Sequence, residues 1–253
     1  MGLLPVFLVA RLAGEGQRTV LDGDEGRHAT AVRRIKAGEQ LLLSDGLGEL
    51  ARCEVLAAGR EGLELRVLRR WAEAAPALRV TLAQALVKGD RSELAIELAT
   101  EAGVDAVLPW RAARCVARWD DGPRGAKALA RWRSAARQSA KQARRGTVPQ
   151  VTAPMDTAEL AQRCRLAALS LVLHESAPAP LPSVELPEAG EVLLAVGPEG
   201  GITESELDGL VAAGARPVRL GPAVLRSSTA GAVALGALGA LSSRWGMRSS
   251  GGF

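Results

Sequence analysis

The chain has 253 residues, which is long enough for one large or two modest domains. Because 47% of the residues are apolar, the chain can bury a sizeable core. Its three cysteines, Cys53, Cys115 and Cys164, are too few and too scattered for a disulfide framework or a Cys-x-x-Cys metal site, so we predict no metal and a cytoplasmic location. No apolar run reaches membrane-spanning length without glycines or charges, so we predict no membrane association.

The first 74 residues are predicted to form a small antiparallel β-barrel. Residues 1–10 are apolar but lack a basic lead and contain Pro5, which indicates a first strand rather than a signal peptide. Further strands are predicted at 40–43, 51–56 and 63–68, where apolar residues alternate or cluster between glycine turns. A small-residue stretch with a proline near 71–78 predicts a boundary, giving domains 1–74 and 75–253.

Strand-like and helix-like patterns alternate after this boundary. Helices are predicted at 91–102, in a basic segment between Gly122 and Pro154, and at 230–241. The predicted strands lie at 79–86, 106–109, 167–173, 191–196 and 217–220. This alternation is typical of an α/β domain with a mainly parallel sheet.

The basic segment between Gly122 and Pro154 concentrates the positive charge of a chain whose net charge is only +4. It carries eight basic and no acidic residues, largely at helical spacing, namely Arg124, Lys127, Arg131, Arg133, Arg137, Lys141, Arg144 and Arg145. An opposing apolar stripe is formed by Leu129, Trp132, Ala136, Ala140 and Ala143. The pattern predicts a packed helix whose basic face suits nucleic-acid phosphates, with a solvated surface helix as the alternative.

Two glycine-rich loops near the C-terminus are the most informative feature. Residues 197–203 (GPEGGIT) follow a predicted strand, and Thr203 is predicted to cap a helix with an acidic first turn. Residues 220–226 (LGPAVLR) precede a helix that Ser227, Ser228 or Thr229 could cap. On adjacent parallel strands, the two loops would form a ligand site, because glycine lets backbone groups approach a ligand closely. Ordinary turns are the alternative for either loop alone.

Neither loop is a nucleotide-phosphate motif, since a Walker A lysine and a Gly-x-Gly-x-x-Gly fingerprint are both missing. The pair, GPEGGITxxE at 197–206 and LGPxVLRxxTA at 220–230, instead resembles the C-terminal signature of the bacterial 16S rRNA uridine-N3 methyltransferases of the SPOUT superfamily. Further matches to the family lie upstream and in the order that the family has, at 28–39 (HAxxVRRIKAGE), 88–94 (KGDRxEL) and 144–151 (RRGTVPQV). The resemblance therefore spans almost the whole chain.

The resemblance implies a fold and a reaction. The fold would be a PUA-like β-barrel followed by a SPOUT-type α/β domain with a C-terminal trefoil knot. The reaction would be transfer of a methyl group from S-adenosyl-L-methionine to N3 of a uridine in 16S rRNA, free or within the small ribosomal subunit. SPOUT enzymes typically pair, so a homodimer is expected, with helix 230–241 against a partner; packing of this helix within its own subunit is the alternative.

The same resemblance implies a cofactor site and catalytic residues. Arg226 would stabilise the uracil anion that forms as N3 loses its proton, and Glu199 would accept that proton or bind the ribose. The alternatives are that Arg226 anchors the loops and that Glu199 caps its own loop. His174 is expected to be structural, with proton handling beside the pocket as the alternative. The cofactor-binding residues would be Leu173, His174, Glu175, Val196, Gly197, Pro198, Glu199, Gly200, Gly201, Leu220, Gly221, Val224, Leu225 and Arg226.

RNA contacts are expected from basic residues of both domains. The candidates are His28, Arg33, Arg34, Arg91, Arg133, Arg137, Lys141, Arg144 and Arg145. An ordinary helix-surface histidine is the alternative for His28. Arg91 and Glu93 are expected to orient the basic helix or the RNA, and an ion pair within their helix, with Glu97 or a neighbour, is the alternative explanation. The chain departs from the family pattern at Arg137, where a glutamate is common, and at Ser228, where an acidic residue is usual.

Two other functions fit the same motifs. A related SPOUT enzyme would methylate another RNA base or a ribose 2′-hydroxyl, and its glycine loops would look similar. A non-catalytic ribosome-assembly factor would keep the basic helix and the barrel but not bind the cofactor.

Overall fold

The computed structural model describes residues 4–89 and 91–246 of the chain. The chain is divided into two compact units, the first formed by residues 1–75 with 140–148 and the second by residues 76–139 with 149–253. The segment 140–148, which the sequence analysis placed in the second domain, belongs with the first unit. Asp90 of the KGDRxEL motif lies outside the described residues, and so do residues 248–253, which the sequence predicts to be a tail.

The first unit contains a five-stranded sheet with a short helix. In the strand order β1-β3-β4-β5-β2, β1 runs parallel to β3, so the prediction of an antiparallel barrel is wrong for this pair. Register shifts within β4 bend the sheet around the core. Its elements are β1 (Val6–Leu8), β2 (Arg18–Leu21), α1 (Gly23–Arg27), a π-helical turn (His28–Val32), β3 (Gln40–Ser44), β4 (Glu49–Ala58) and β5 (Leu63–Ala72).

The segment 140–148 is held to this unit by hydrogen bonds and an ion pair. The Ser44 hydroxyl donates to the Gly146 carbonyl at 2.9 Å, and the Val148 N–H donates to the Gly46 carbonyl at 2.9 Å. The Lys141 ammonium lies 2.8 and 2.9 Å from the two carboxylate oxygens of Glu25. These contacts explain why the segment groups with the first unit and not with the residues that surround it in sequence.

The second unit is built on a six-stranded sheet whose strand pairs are all parallel, which confirms the predicted α/β architecture. The strand order is β11-β9-β10-β6-β7-β8. The strands are β6 (Leu78–Ala85), β7 (Ala106–Trp110), β8 (Gln150–Val151), β9 (Leu169–Leu173), β10 (Gly190–Val196) and β11 (Arg216–Val218). The central strands are apolar and buried on both faces, as expected for a sheet covered by helices.

Four α-helices lie between strands of this sheet, namely α2 (Arg91–Glu101), α3 (Pro123–Gln142), α4 (Thr157–Leu166) and α5 (Glu204–Ala212), and α6 (Ser227–Leu241) follows β11. The apolar stripe of α3 is confirmed at Trp132 and Ala136, which are fully buried. Ala143 does not belong to the stripe, because α3 ends at Gln142 and Ala143 is exposed. None of the described helices has the length and apolarity needed to cross a bilayer.

Two sequence expectations about the glycine loops are wrong in detail. Their strands β10 and β11 are not adjacent, because β9 lies between them. Helix α6 begins at Ser227 with Arg226 as its N-cap residue, and no side chain caps it. Ser227 is instead buried inside the helix, where its hydroxyl accepts a hydrogen bond from Gln84 at 3.0 Å and donates to the Gly197 carbonyl at 2.7 Å.

Charged side chains close the amino edge of this sheet, where its strands begin. Arg244 lies in a 3-10 turn after α6, and its guanidinium lies 2.7 Å from the Asp105 carboxylate and donates to the Gly103 carbonyl at 2.6 Å. Asp105 also accepts the Val80 N–H at 2.6 Å. Glu191 at this edge accepts hydrogen bonds from Arg163 at 3.1 and 3.2 Å. The charges at this edge are therefore engaged in holding strands, loops and the C-terminal turn together.

Candidate cofactor and RNA site

Three loops meet at the carboxyl edge of the sheet in the second unit. They follow β9, β10 and β11, which are neighbouring parallel strands, so their ends lie side by side. The His174 N–H donates to the Val218 carbonyl at 2.9 Å, which joins the first loop to the end of β11, where the third loop begins. The hydrogen bond from Ser227 to the Gly197 carbonyl joins the second loop to the start of α6. The structure thus brings together the three segments that the resemblance assigned to the cofactor.

The loop after β10 is anchored by Thr203 and Glu206. Thr203 caps α5, as predicted, and its hydroxyl accepts the Glu206 N–H at 3.2 Å. The Glu206 carboxylate accepts from the Thr203 N–H at 3.2 Å, from the Ala113 N–H at 2.8 Å and from the Thr157 hydroxyl at 2.8 Å. Gly201 sits at φ 76°, a left-handed conformation that favours glycine. One buried carboxylate therefore ties this loop to the segment after β7 and to the start of α4.

The electrostatics of Glu206 follow from these contacts. Burial by itself raises the pKa of its carboxyl, but the hydrogen bonds from Ala113, Thr203 and Thr157 outweigh burial, and the pKa is lowered from its ordinary value. Glu206 is therefore an ionised anchor at neutral pH. Sequence reasoning placed this residue in the family motif but missed its role, although the Thr-x-x-Glu spacing of a capping box was visible.

Arg114 and Cys115 border the same loop. The Arg114 guanidinium donates to the Gly200 carbonyl at 3.1 Å. Cys115 is half-buried, and burial raises the pKa of its thiol, so it stays protonated at neutral pH. Arg114 thus supports the backbone of the glycine loop, a role that no local sequence signal could have revealed.

Gly221, in the loop after β11, is not required by the fold itself. A Cβ atom built at this position would meet no described atom within 4 Å, and its backbone is outside the left-handed region. Val224 in the same loop is 81% exposed, an unusual position for a branched apolar side chain. A glycine and an exposed valine at a strand end suit a ligand that approaches the backbone and covers apolar surface.

The two predicted catalytic side chains are both exposed. Among the described residues, neither Arg226 nor Glu199 has a side-chain hydrogen bond or an ion pair. The structure therefore shows no anchoring contact for Arg226 and no loop-capping contact for Glu199. His174 differs, because its ring Nδ1 accepts the Ser176 N–H at 3.3 Å, which favours the structural alternative.

The remaining cofactor candidates lie at the ends of β9 and β10 or in the loops after β9, β10 and β11. Leu173 and Val196 are the last residues of β9 and β10. The others lie in the three loops after β9, β10 and β11, and they are Glu175, Gly197, Pro198, Gly200, Gly201, Leu220 and Leu225.

The RNA candidates of the first unit differ in accessibility. Arg33, Arg34 and Arg144 are exposed, and Arg145 is half-buried. His28 is half-buried in the π-helical turn, with its ring centroid 6.1 Å from that of Phe7. The prediction that Lys141 lies on an exposed basic face is wrong, because its side chain is only 11% exposed and is paired with Glu25.

The RNA candidates of the second unit lie on α2 and α3. Arg91 and Arg137 are exposed, and Arg133 is exposed but donates through Nε to the Val151 carbonyl at 3.1 Å. Glu93 does not pair within its own helix, because it lies 2.9 Å from Arg131 of α3. This ion pair links the two helices and supports the expectation that Glu93 orients the basic helix.

Comparison with known proteins places the chain in a family. A family model described as an RNA methyltransferase domain matches residues 74–239, and one described as an RNA methyltransferase PUA domain matches residues 21–68. Ribosomal RNA small subunit methyltransferase E of Mycobacterium tuberculosis is 55% identical over 95% of this chain and 93% of its own length. The protein of the same name in Bacillus subtilis is 32% identical over 86% and 88%.

Solved structures agree with this assignment. Ribosomal RNA small subunit methyltransferase E from Neisseria gonorrhoeae, bound to S-adenosyl methionine, is 28% identical with a TM-score of 0.84 and covers 94% of this chain and 98% of its own. A methyltransferase from Legionella pneumophila with bound SAM is 27% identical with a TM-score of 0.83, covering 95% and 99%. The chain belongs to the ribosomal RNA small subunit methyltransferase E family, and the resemblance seen in the motifs is confirmed.

Proposed function

We propose that this enzyme transfers the methyl group of S-adenosylmethionine to N3 of a specific uridine in 16S rRNA. The observation that carries the proposal is the meeting of three loops at one sheet edge, with Arg226 and Glu199 exposed beside them. The relatives named as small-subunit RNA methyltransferases and the cofactor-bound solved structures support it. An activity on ribosomal RNA would place the protein in the cytoplasm.

The residues of the three loops fit the proposed cofactor. Backbone groups of Val196 to Gly201 and of Leu220 and Gly221 would bind its adenine and ribose, while apolar Leu220 and Leu225 would cover the ring. Gly221 leaves the backbone accessible, and Glu206 with Arg114 holds the neighbouring loop in place. When bound, S-adenosylmethionine supplies an electrophilic methyl group on a sulfonium.

The side chains of this protein would prepare the uridine for transfer. N3 of uracil is weakly acidic and mostly protonated at neutral pH, so its proton must leave as the N3–methyl bond forms. Glu199 would accept that proton, and the Arg226 guanidinium would stabilise negative charge on the uracil carbonyl oxygens. Neither task needs a metal, and neither needs a carboxylate at position 137 or 228, where this chain has Arg137 and Ser228.

Each unit would contribute its own contacts to the RNA. The first unit offers His28, Arg33, Arg34, Arg144 and Arg145, and the second offers Arg91, Arg133 and Arg137. Because these are mostly cationic side chains, they would contact phosphates and position the RNA rather than read its bases. Lys141 is left out because Glu25 already neutralises it.

Two structural expectations accompany this function, namely the C-terminal trefoil knot and a homodimer. On α6, Val233 and Leu241 are 44% and 47% exposed and offer an apolar surface to a partner. The small residues of this helix are less available, because Gly231 faces Leu82 and Gly239 faces Trp245 of the same chain. The dimer proposal therefore rests on the exposed side chains and not on the glycines.

The test is methyl transfer from labelled S-adenosylmethionine to small subunits from a strain that lacks the enzyme, followed by nucleoside analysis. We expect label in 3-methyluridine with the native protein and its loss with Arg226→Ala. Label in another nucleoside would favour the related-enzyme alternative. No transfer despite tight subunit binding would favour an assembly factor.

A further inference from the structure

A second cleft lies in the second unit beside the carboxyl end of β6. It has a volume of about 540 Å³, within the range that small-molecule sites usually have. Its lining comes from the segment after β6, the first turn of α2, the segment before α3, and α3 itself. The charged and aromatic side chains that matter are Lys88, Glu93, Arg118, Trp119, Arg124 and Arg131.

Among the described side chains that line this cleft, four are cationic and one, Glu93, is acidic. Glu93 is already paired with Arg131, at 2.9 Å. Lys88, Arg118 and Arg124 are exposed, and none of them has an ion pair or a side-chain hydrogen bond to any residue of 4–89 or 91–246. The three cations are therefore available to an anionic ligand.

Within the described part of the chain, neither acidic residue before α3 forms an ion pair with Lys88, Arg118 or Arg124. The Asp120 carboxylate accepts from the Gly122 N–H at 3.3 Å and from the Gly125 N–H at 3.4 Å, at the start of α3. Asp121 lies 3.4 Å from Arg111. Both carboxylates are thus engaged with other parts of the chain.

The floor of the cleft is held in one arrangement. The Trp132 indole N–H donates to the Ser92 hydroxyl at 2.6 Å, and Trp132 is fully buried. Trp119 packs edge-on against Trp132, with 4.8 Å between ring centroids. A floor fixed in this way lowers the ordering cost of binding a ligand.

The cleft shares a sheet edge with the cofactor loops. Strand β6 pairs with β10, so the segment after β6 emerges one strand spacing, about 4.8 Å, from the loop after β10. Gln84 near the end of β6 bonds to Ser227, which in turn bonds to the Gly197 carbonyl. A ligand in the cleft would therefore lie along the same edge as the reacting uridine.

We propose that this cleft binds the phosphate–ribose backbone of the RNA next to the target uridine, through Lys88, Arg118 and Arg124. The proposal rests on the proposed function, because it takes RNA to be the substrate. Guanidinium groups match the geometry of phosphate oxygens, and three cations that line one cleft without an ion pair to a described residue suit a polyanion. The carboxylate of the cofactor is the other anion within the reaction, and the experiment separates the two.

The experiment compares Lys88→Ala, Arg118→Ala, Arg124→Ala and the double variant Arg118→Ala/Arg124→Ala with the native protein. Arg165→Ala is the matched control, because Arg165 is exposed on α4 in the same unit and does not line the cleft. The substrate is small subunits from a strain that lacks the enzyme. KM and kcat are measured at several salt concentrations, and cofactor affinity is measured separately by calorimetry.

We expect each single variant to raise KM for the subunits roughly five- to tenfold while kcat changes less than about twofold. The slope of log KM against log salt should fall by about 1 per variant and about 2 in the double variant, as one phosphate contact is lost at each position. Cofactor affinity should stay at the native value, which also shows that the variants are folded. Arg165→Ala should behave as the native protein does.

Two results would overturn the proposal. Weaker cofactor binding with an unchanged KM for the subunits would assign the cleft to the cofactor carboxylate. A KM and a salt slope equal to those of Arg165→Ala would show that the cleft does not contact RNA. Methylation at another nucleoside would refute the proposed uridine N3 reaction alone, since the KM and salt slope of the cleft variants would still report RNA binding.

Discussion

The two edges of the parallel sheet in the second unit use charge in opposite ways. At the amino edge, Arg244 is paired with Asp105 and Glu191 with Arg163. At the carboxyl edge, the side chains of Arg226 and Glu199 have no hydrogen bond or ion pair with any residue that the structure describes. The charged side chains named at the amino edge are therefore paired with each other, whereas Arg226 and Glu199 at the carboxyl edge are exposed and unpaired among the described residues.

This difference distinguishes charged residues that stabilise the fold from charged residues that are available to bind a ligand. A charge that the protein neutralises itself adds to stability and is costly to unpair, whereas an exposed unpaired charge costs little to remove. Changes to the paired charges of the amino edge should therefore alter the free energy of unfolding, and changes to the exposed, unpaired side chains of the carboxyl edge should alter activity. Glu206 lies in a carboxyl-edge loop but is buried and hydrogen-bonded, so it belongs with the residues that stabilise the fold.

Arg226→Ala should lower kcat by about 100- to 1,000-fold, because it removes stabilisation of charge that develops on the uracil oxygens. The midpoint of urea unfolding should not change, since the side chain has no partner among the described residues. Steady-state methyl transfer and urea titration measure the two quantities. Arg216→Ala on the exposed part of β11 is the control, and equal losses in both variants would refute the assignment.

Arg244→Ala should lower the free energy of unfolding by about 3 kcal/mol, because it leaves the partly buried Asp105 carboxylate without its cation. Activity per folded molecule should stay near the native value at a temperature where the variant is folded. Urea titration followed by circular dichroism measures the change. A loss below about 0.5 kcal/mol, as expected for an exposed arginine such as Arg165, would contradict the structural role of this edge.

Glu206→Gln should destabilise the protein by about 1–3 kcal/mol at pH 7, because its amide would face donors from Ala113, Thr157 and Thr203. The folded-state pKa of Glu206 is lowered, so its stabilisation is complete above the unfolded value of about 4.3 and is lost as the pH falls through the folded pKa. The difference in free energy of unfolding between native and variant should therefore shrink below about pH 4. A difference that stays constant from pH 7 to pH 3 would refute this account.

Gly221→Ala should weaken cofactor binding by roughly tenfold, about 1.4 kcal/mol, without destabilising the fold, because a methyl group fits the protein but blocks a ligand close to the backbone. Calorimetric titration with S-adenosylmethionine measures the affinity. Gly209→Ala is the matched control, because Gly209 is exposed in α5 and a Cβ atom there also meets nothing within 4 Å. We expect that control to bind normally and to gain about 0.5–1 kcal/mol of stability from helix propensity. Native affinity in Gly221→Ala would remove Gly221 from the site.

The sequence predicted what depends on local pattern. Apolar runs and their spacing predicted the parallel sheet and the buried stripe of α3, and a threonine before an acidic helical turn predicted the cap at Thr203. The order of the strands was not predictable in this way, because pairing joins segments far apart in sequence. The insertion of β9 between β10 and β11 is such a case.

Long-range contacts also decided which site residues were missed. Lys141 was expected on an exposed basic face because its neutralising partner, Glu25, is 116 residues away. Glu206 was seen as part of a motif, but its partners Ala113 and Thr157 lie 93 and 49 residues away. Such pairs become visible only once the fold brings the segments together.

The most direct test of the central claim is amide hydrogen exchange of the native protein with and without S-adenosylmethionine. The account predicts slower exchange in residues 173–175, 196–201 and 220–226 on cofactor binding. It predicts no change at the amino edge, in residues 103–105 and 242–245. Protection confined to the amino edge, or none in the three loops at saturating cofactor, would contradict the account.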